Sequence, residues 1–404
     1  MRVTMIGTFG MRPKMTMSRR ALPLARALVS RGHHVTVIVP PWDWPEDAGQ
    51  RLLVDDVDVI NTALPARTPG LWYVRLTNTL VQQTLASRPD VVHAFKPKGF
   101  SGMALAALLA MKQIGQMRAR LVLDTDDWEG SGGWNDVNPY PRWQRLLFSA
   151  QEEGLLRAAA AVTVASRELA RLAAIRRGGR GVYYLPNGVA DKGGSQPAAA
   201  DADAVRRQLA ERHAFDPDKP LLLLYTRFVE YRIDHLLNIV RAIGERLPHA
   251  TLLVVGTGLL GQERQLEQAA QFGNFALRIV LAGWIPEAGL GSYFAAADVA
   301  LFPMEDTRLN RTKCPMKLVD LLAAGVPVVA EGVGQVNEYI ESGVSGVTVA
   351  AGDVDTFAEA VLRLVRSPDE RTRLGQGARA RMNQHFRWET LAATAEWAYR
   401  GQRP

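Results

Sequence analysis

Pro315-Met-Lys-Leu-Val-Asp320 sets a lysine and an aspartate on successive turns of a helix that opens on a proline, which suits a ligand with phosphate and hydroxyl groups. The spacing predicts unpaired amides at Met316, Lys317 and Leu318, aligned with the helix dipole and joined by the Lys317 ammonium, so an anion is favoured there. Asp320, one turn further in, would accept hydrogen bonds from ribose hydroxyls. Pro315 is expected at the first helical position, where its missing N–H costs nothing. Arg227 and Arg232 follow the apolar run Leu221–Tyr225, and two guanidiniums at one strand end can fork onto a single diphosphate.

A different chemistry is suggested by Asp124-Thr-Asp-Asp-Trp-Glu129, directly after an apolar strand and before Gly-Ser-Gly-Gly. So many carboxylates are costly to cluster unless something cationic or hydroxyl-rich sits among them. A metal site, a carboxylate acting on a sugar hydroxyl, and a solvated loop all fit. Sugar or acceptor contact is the expectation, with the glycines as a mobile flap, because no partner cluster elsewhere supports a metal. His93, Lys96 and Lys98 in PDVVHAFKPKG end another strand and join the candidates.

These groups need strand ends to stand on, and the chain supplies them in two series. Val3–Ile6, the turn Gly7–Gly10, a helix over Ser18–Ser30 containing Pro23, and His34–Val39 form a βαβ unit. Strands at Val57–Ile60, Val91–Ala94, Leu121–Asp124 and Ala161–Ala165 follow, with helices at Tyr73–Ala86, Met103–Met111 and Arg142–Ala159 between them. Residues 190–203, poor in large apolar side chains, read as a linker. The pattern then restarts: strands Leu221–Tyr225, Thr251–Val255 and Ile279–Ala282, helices Asp234–Arg246 and Glu263–Phe272, and a helix from Pro315 stopped by Gly325 before strand Val326–Ala330. Two successive α/β halves imply a cleft between two domains.

The 404 residues suit two cores, and 47% hydrophobic with 22% charged residues argues against wholesale disorder. One cysteine, Cys314, excludes an internal disulfide and fits a reducing compartment. Net charge is +7 and uneven: residues 1–190 carry 24 Lys+Arg against 15 Asp+Glu, and the remainder 24 against 26. A basic first half points to an anionic acceptor or an anionic membrane surface. No Lys/Arg run interleaved with aromatics supports nucleic acid. No stretch is apolar for the roughly 18–20 residues that cross a bilayer, so the expected location is the cytoplasm, with possible contact at the inner face of a membrane.

Taken in order, the Gly turn near Gly10, RGHHVTVIVP, LPNGV, the Arg227/Arg232 spacing, VVGTG, AGWIP, AAADVALFP, KLVDLLAAGVPVV and FRWETLA resemble the retaining, GT-B-fold glycosyltransferases of family 4, the group 1 glycosyltransferases, over nearly the whole chain. The resemblance implies two Rossmann-like domains facing a central cleft: an acceptor domain over 1–189, a nucleotide-sugar donor domain over 190–384, and a C-terminal helix from about 385 to 404 crossing back to the first. It implies that Arg227 and Arg232 hold the donor diphosphate and that Asp320, the second position of an E-x7-E signature, receives the ribose. The stretch Gly283-Trp284-Ile285 matches the base-docking segment, and Gly10 and Gly256 admit donor phosphates. Thr312 stands at the first signature position, with Glu305 and Asp306 as substitute carboxylates, and Asp124–Asp127 replaces a histidine usual in the first domain.

The implied activity is transfer of a sugar, with retention, from a nucleotide diphosphate sugar to an acceptor hydroxyl, with no metal and no cofactor besides that co-substrate. Arg227 and Arg232 are the expected stabilisers of the leaving diphosphate, and Asp126 the catalytic carboxylate. His93, Lys96, Asp124, Asp127 and Trp128 are the expected acceptor or sugar contacts, the acceptor being anionic or lipid-linked. An epimerase or phosphorylase on the same fold, or a catalytically silent subunit that binds nucleotide sugar or a partner transferase, remains as an alternative.

Overall fold

A computed structural model describes residues 1–190, 199–258, 261–273 and 275–402. The chain divides into two compact units: residues 1–190 with 312–314 and 386–404, and residues 191–311 with 315–385.

The first unit is built on eight strands: β1 (Arg2–Ile6), β2 (His34–Val39), β3 (Arg51–Val54), β4 (Val57–Asn61), β5 (Val91–Phe95), β6 (Arg120–Thr125), β7 (Ala161–Val164) and β8 (Val182–Tyr184), in the order β3-β4-β2-β1-β5-β6-β7-β8. All neighbours are parallel except β3 and β4. Its helices are α1 (Leu22–Ser30), α2 (Trp72–Ala86), α3 (Gly99–Gln113), α4 (Trp134–Val137), α5 (Arg142–Ala158) and α6 (Arg167–Arg177). Every residue of β5 and β7 is buried, as expected of parallel strands covered on both faces.

Pro23 falls in the first turn of α1, after one π-helical turn over Met17–Ala21, so it starts the regular helix. The hairpin β3–β4 was not legible in the sequence. Asp55 and Asp56 close it with φ of 48° and 61°, the left-handed pair that a two-residue hairpin turn requires.

The second unit has six parallel strands: β9 (Leu221–Tyr225), β10 (Thr251–Val255), β11 (Arg278–Gly283), β12 (Val299–Phe302), β13 (Val328–Glu331) and β14 (Val347–Val349), in the order β11-β10-β9-β12-β13-β14. Its helices are α7 (Ala199–His213), α8 (Ile233–Arg246), α9 (Gln262–Phe272), α10 (Glu287–Ala296), α11 (Arg308–Thr312, whose last residue groups with the first unit), α12 (Met316–Ala323), α13 (Val336–Tyr339), α14 (Val354–Arg366) and α15 (Pro368–His385). Residues 191–198 of the expected linker lie outside the described residues, and 199–203 open α7.

Helix α8 buries Leu236, Ile239, Val240 and Ile243, and α14 buries Phe357, Ala358, Val361 and Leu364. Both sets repeat every three or four residues, the stripe a helix needs to lie on a sheet. The last helix, α16 (Trp388–Arg400), belongs to the first unit. Its Trp388, Leu391, Ala392, Ala395, Ala398 and Tyr399 share a core with Leu24 and Leu28 of α1 and with Val3 and Met5 of β1.

Candidate functional site

In the second unit the strand order reverses between β9 and β12, and doubly wound sheets bind ligands outside the carboxyl ends of their strands at such a point. The residues there form a recess lined by Tyr225, Thr226, Glu230, Tyr231, Pro303 and Lys317. Lys317 Nζ lies 3.4 Å from the centre of the Tyr225 ring. Arg227 is exposed, and Arg232, 78% exposed at the start of α8, reaches Glu305 Oε1 with its Nε at 3.3 Å. An exposed guanidinium held by one rim carboxylate can exchange that partner for a phosphate at little cost.

Backbone packing explains the nearby glycines. Gly256 has φ of +119°, a Cβ there would overlap the Thr226 carbonyl oxygen, and its N–H donates to the Gly283 carbonyl at 2.7 Å. Gly283 is half-buried, Ile285 likewise, and Trp284 is 70% exposed.

The start of α12 departs from expectation in two respects. Pro315 is the residue before the first helical one, and the Leu318 N–H is taken by the Pro315 carbonyl at 3.0 Å, so Leu318 has no amide to offer. Met316, Lys317 and Asp320 are half-buried. Thr312 is fully buried and its carbonyl accepts from Ser166 Oγ at 2.9 Å, so its side chain is sealed in the first unit.

The sheet of the first unit reverses between β1 and β5, and there the candidate residues bind one another. Asp124 is fully buried and takes a two-pronged contact from Arg20, Nε to Oδ1 at 2.7 Å and Nη2 to Oδ2 at 2.6 Å. Arg20 also donates to Asn187 Oδ1 and the Leu185 carbonyl. Thr163 Oγ1 lies 2.6 Å from Asp124 Oδ2 and must donate to it, because a carboxylate only accepts. His93 Nε2, 2.9 Å from Thr163 Oγ1, is therefore the protonated nitrogen, and Nδ1 accepts from the Tyr399 hydroxyl at 2.9 Å. Burial pushes the His93 imidazole down to about 4 and the Tyr399 phenol well up, which keeps both neutral and preserves this direction.

His93 and Asp124 were expected to contact acceptor or sugar. Sealed inside the unit, they instead tie α16 to the sheet.

The acidic loop has its own cation. Lys96, held with φ of +68°, places Nζ 2.7 Å from Asp126 Oδ1, 3.0 Å from Asp127 Oδ2 and 3.0 Å from Glu129 Oε1, while Lys98 pairs with the other Glu129 oxygen. Burial alone would raise the Asp126 carboxyl; Lys96 and Arg20 outweigh it and hold the group below its usual range. Asp127 is shifted up by burial and by its acidic neighbours in spite of Lys96. The partner that the clustered carboxylates need thus comes from the chain itself, and Lys96, expected as an acceptor or sugar contact, is a buried counter-ion. Among the described residues no group of three or more His, Cys, Asp or Glu is arranged to hold a metal.

The expected flap is tied down. Glu152 accepts from the N–H groups of Glu129 and Gly130 at 3.0 and 2.7 Å, and Trp128, itself buried, donates Nε1–H to the Ser131 carbonyl. Gly10 is buried too; its N–H donates to Asp43 Oδ1 and a Cβ would meet Pro41 at 3.1 Å, so its backbone is already engaged.

Sequence reasoning passed over Tyr225, His235 and Glu331, all around the reversal point of the second unit. Glu331 carried a signal: a carboxylate closing the apolar run Val-Pro-Val-Val-Ala is costly to bury without partners.

Comparison with known proteins separates the two units in the same way. The family described as Glycosyl transferase 4-like domain matches residues 16–188, and the family described as Glycosyl transferases group 1 matches residues 219–367. The GDP-mannose-dependent alpha-(1-6)-phosphatidylinositol monomannoside mannosyltransferase of Mycobacterium tuberculosis is 26% identical over 381 residues, 92% of this chain and 90% of that protein. Sucrose-phosphate synthase from Thermosynechococcus elongatus superposes with a TM-score of 0.71 at 21% identity, covering 99% of this chain and 98% of that one. The catalytic domain of starch synthase IV from Arabidopsis thaliana, bound to ADP and acarbose, gives a TM-score of 0.75 at 15% identity, covering 98% of both chains.

Proposed function

The chain belongs to the group 1 glycosyltransferases of GT-B fold, enzymes that use a nucleotide sugar, and from that premise we propose transfer with retained anomeric configuration, independent of metal, to a lipid-linked acceptor hydroxyl. The observation that carries the donor assignment is the reversal point between β9 and β12, where Lys317 lines a recess at the strand ends and Arg227 and Arg232 stand exposed just after β9. Such a reaction must neutralise a departing diphosphate while the sugar gains oxocarbenium character. Arg227, Arg232, Lys317 and the Met316 amide supply that positive charge without an ion. Asp320 takes the ribose hydroxyls, and the backbone around Gly283 and Ile285 takes the base.

The acceptor is assigned to the first unit, where Asp126 and Asp127, with side chains 12% and 16% exposed, are the least sealed of the carboxylates around Lys96 and can orient a hydroxyl. A lipid-linked acceptor is favoured by the exposed Leu71, Val74, Trp143 and Leu146, beside the exposed cations Arg75, Arg142 and Arg145. The Tyr73 and Trp143 rings, 6.2 Å apart, join α2 to α5 across this patch. No described helix is long and apolar enough to cross a membrane. The mannosyltransferase relative makes GDP-mannose the first donor to try.

The test is a thermal-shift panel of GDP-mannose, GDP, UDP-glucose, UDP and ADP-glucose, followed by turnover on vesicle-borne acceptors with and without EDTA, and by NMR of the new linkage. The expected result is one stabilising donor family, unchanged rate in EDTA and a retained anomer. An inverted anomer or an EDTA-sensitive rate removes the corresponding part of the proposal.

A further inference from the structure

Behind the recess of the second unit lies a carboxylate that does not reach it. Glu331, at the end of β13 and 1% exposed, accepts from the Met304 N–H at 2.7 Å and the Gly352 N–H at 2.6 Å. His235 Nε2 lies 3.0 and 2.9 Å from its two oxygens. Burying an ionised carboxylate costs several kcal/mol unless its lone pairs are filled, and this one has four short contacts from three separate segments. Those segments are the loop after β12, the turn after β14 and the first turn of α8.

Two of the three also carry donor-site groups. Met304 precedes Glu305, the partner of Arg232, and the His235 N–H donates back to the Arg232 carbonyl at 3.1 Å. The loop is further stapled to the segment leading into α8: the Glu305 N–H donates to the Glu230 carbonyl at 3.0 Å, and Asn310 Nδ2 bridges the carbonyls of Glu230 and Glu305. Arg232 and Glu305 themselves are exposed or half-buried. Their backbone belongs to the same loop and helix start that Glu331 and His235 join.

We infer that His235 and Glu331 are positioning residues for the donor site, their contact fixing the 303–310 loop and the start of α8 in the arrangement that presents Arg232 and Glu305 to a nucleotide sugar. The inference rests on the donor-site reading above. The charged groups facing His235 are Glu331 from β13, Glu305 from the loop after β12, and Arg232 from its own helix. The hydrogen bond to Glu331 leads in raising the imidazole above its ordinary value, against burial and Arg232. A raised histidine contributes fully below its unfolded range, and the contribution is lost as pH rises through the folded value. Donor affinity should accordingly weaken towards alkaline pH.

The experiment titrates GDP, UDP and ADP into the wild-type enzyme, carries the tightest binder forward, and follows its affinity between pH 5.5 and 9 for His235→Gln, His235→Lys, Glu331→Gln and Arg232→Ala, with circular dichroism as the folding check. Expected for His235→Gln is a loss of about tenfold at pH 6 and a flattened profile, since a hydrogen bond to a buried charge is at stake. His235→Lys, a permanent cation, should restore part of the affinity and also flatten the profile. Wild-type affinity and an unchanged profile in a folded His235→Gln overturn the inference, whatever Glu331→Gln does to folding. No binding by any of the three nucleotides, or an Arg232→Ala that binds as wild type, overturns the donor-site reading and this inference with it.

Discussion

The two reversal points of this molecule have the same architecture and opposite fates. Between β1 and β5 the polar residues are consumed by one another: Arg20 by Asp124, Thr163 and His93 in series, Lys96 by three carboxylates. Between β9 and β12 the equivalent investment is pushed one layer back, into Glu331 and His235, and in front of it Arg232 meets Glu305 at the rim, Lys317 lies over the Tyr225 ring and Arg227 is exposed. A strand-end charge is therefore no guide to ligand contact until its partners are known.

The contrast is most directly broken by removing one partner of the sealed pair. Asp124→Ala strands the buried Arg20 and should cost about 3–5 kcal/mol of unfolding free energy, read by denaturant titration. A wild-type midpoint would mean that Asp124 is not structural. Lys96→Met, which takes the cation from Asp126 and Asp127 and leaves Glu129 with Lys98 alone, should cost about 3 kcal/mol by the same measurement. Arg232→Ala, in the open layer, should leave the melting temperature within about a degree, as surface substitutions do, yet weaken diphosphate binding by roughly tenfold or more.

Titration sharpens the comparison, since the named groups of the two units respond to pH in opposite senses. In the first unit, hydrogen bonding from Arg31, with His33 behind it, holds the Glu396 carboxyl at about 2. That stability is present above the ordinary glutamate range and is lost as pH falls towards 2. Burial-depressed His93 acts in the same sense: its unfolded form takes a proton near 6.5 and the folded form only near 4, so stability falls across that interval. Melting curves from pH 7 to pH 3 should decline, and Glu396→Gln should decline less. His235 in the second unit acts oppositely and loses its contribution on the alkaline side. The smallest expected effect is Asp320→Asn, a few-fold loss of nucleotide affinity with unchanged stability.

What the sequence disclosed and what it withheld divide by range. Periodicity placed Leu221–Tyr225 and Thr251–Val255 to the residue and the other strands and helices it named within a few residues, because burial on both faces writes continuous apolar runs, whereas β12, β14, α6, α10, α14 and α15 were not named. The hairpin was missed because its strand Arg51-Leu-Leu-Val exposes both leucines and shows no alternation. The acidic loop was recognised as needing a cationic or hydroxyl-rich partner and was given to a sugar or acceptor; the cation it has, Lys96, lies 31 residues from Asp127, and the pairing of β5 with β6 brings the two together. His235 and Glu331 are 96 residues apart and share no motif, so their meeting is a property of the sheet order alone.

The helix α16 has a consequence for how the protein is made. Trp388, Ala392 and Ala395 share a core with Val3, Leu24 and Leu28, among others, which leave the ribosome long before them. Domains ordinarily fold as they emerge. Here β1 and α1 must hold apolar surface uncovered until α16 has been made, and a chain interrupted before α16 would leave that surface for chaperones and proteases to find.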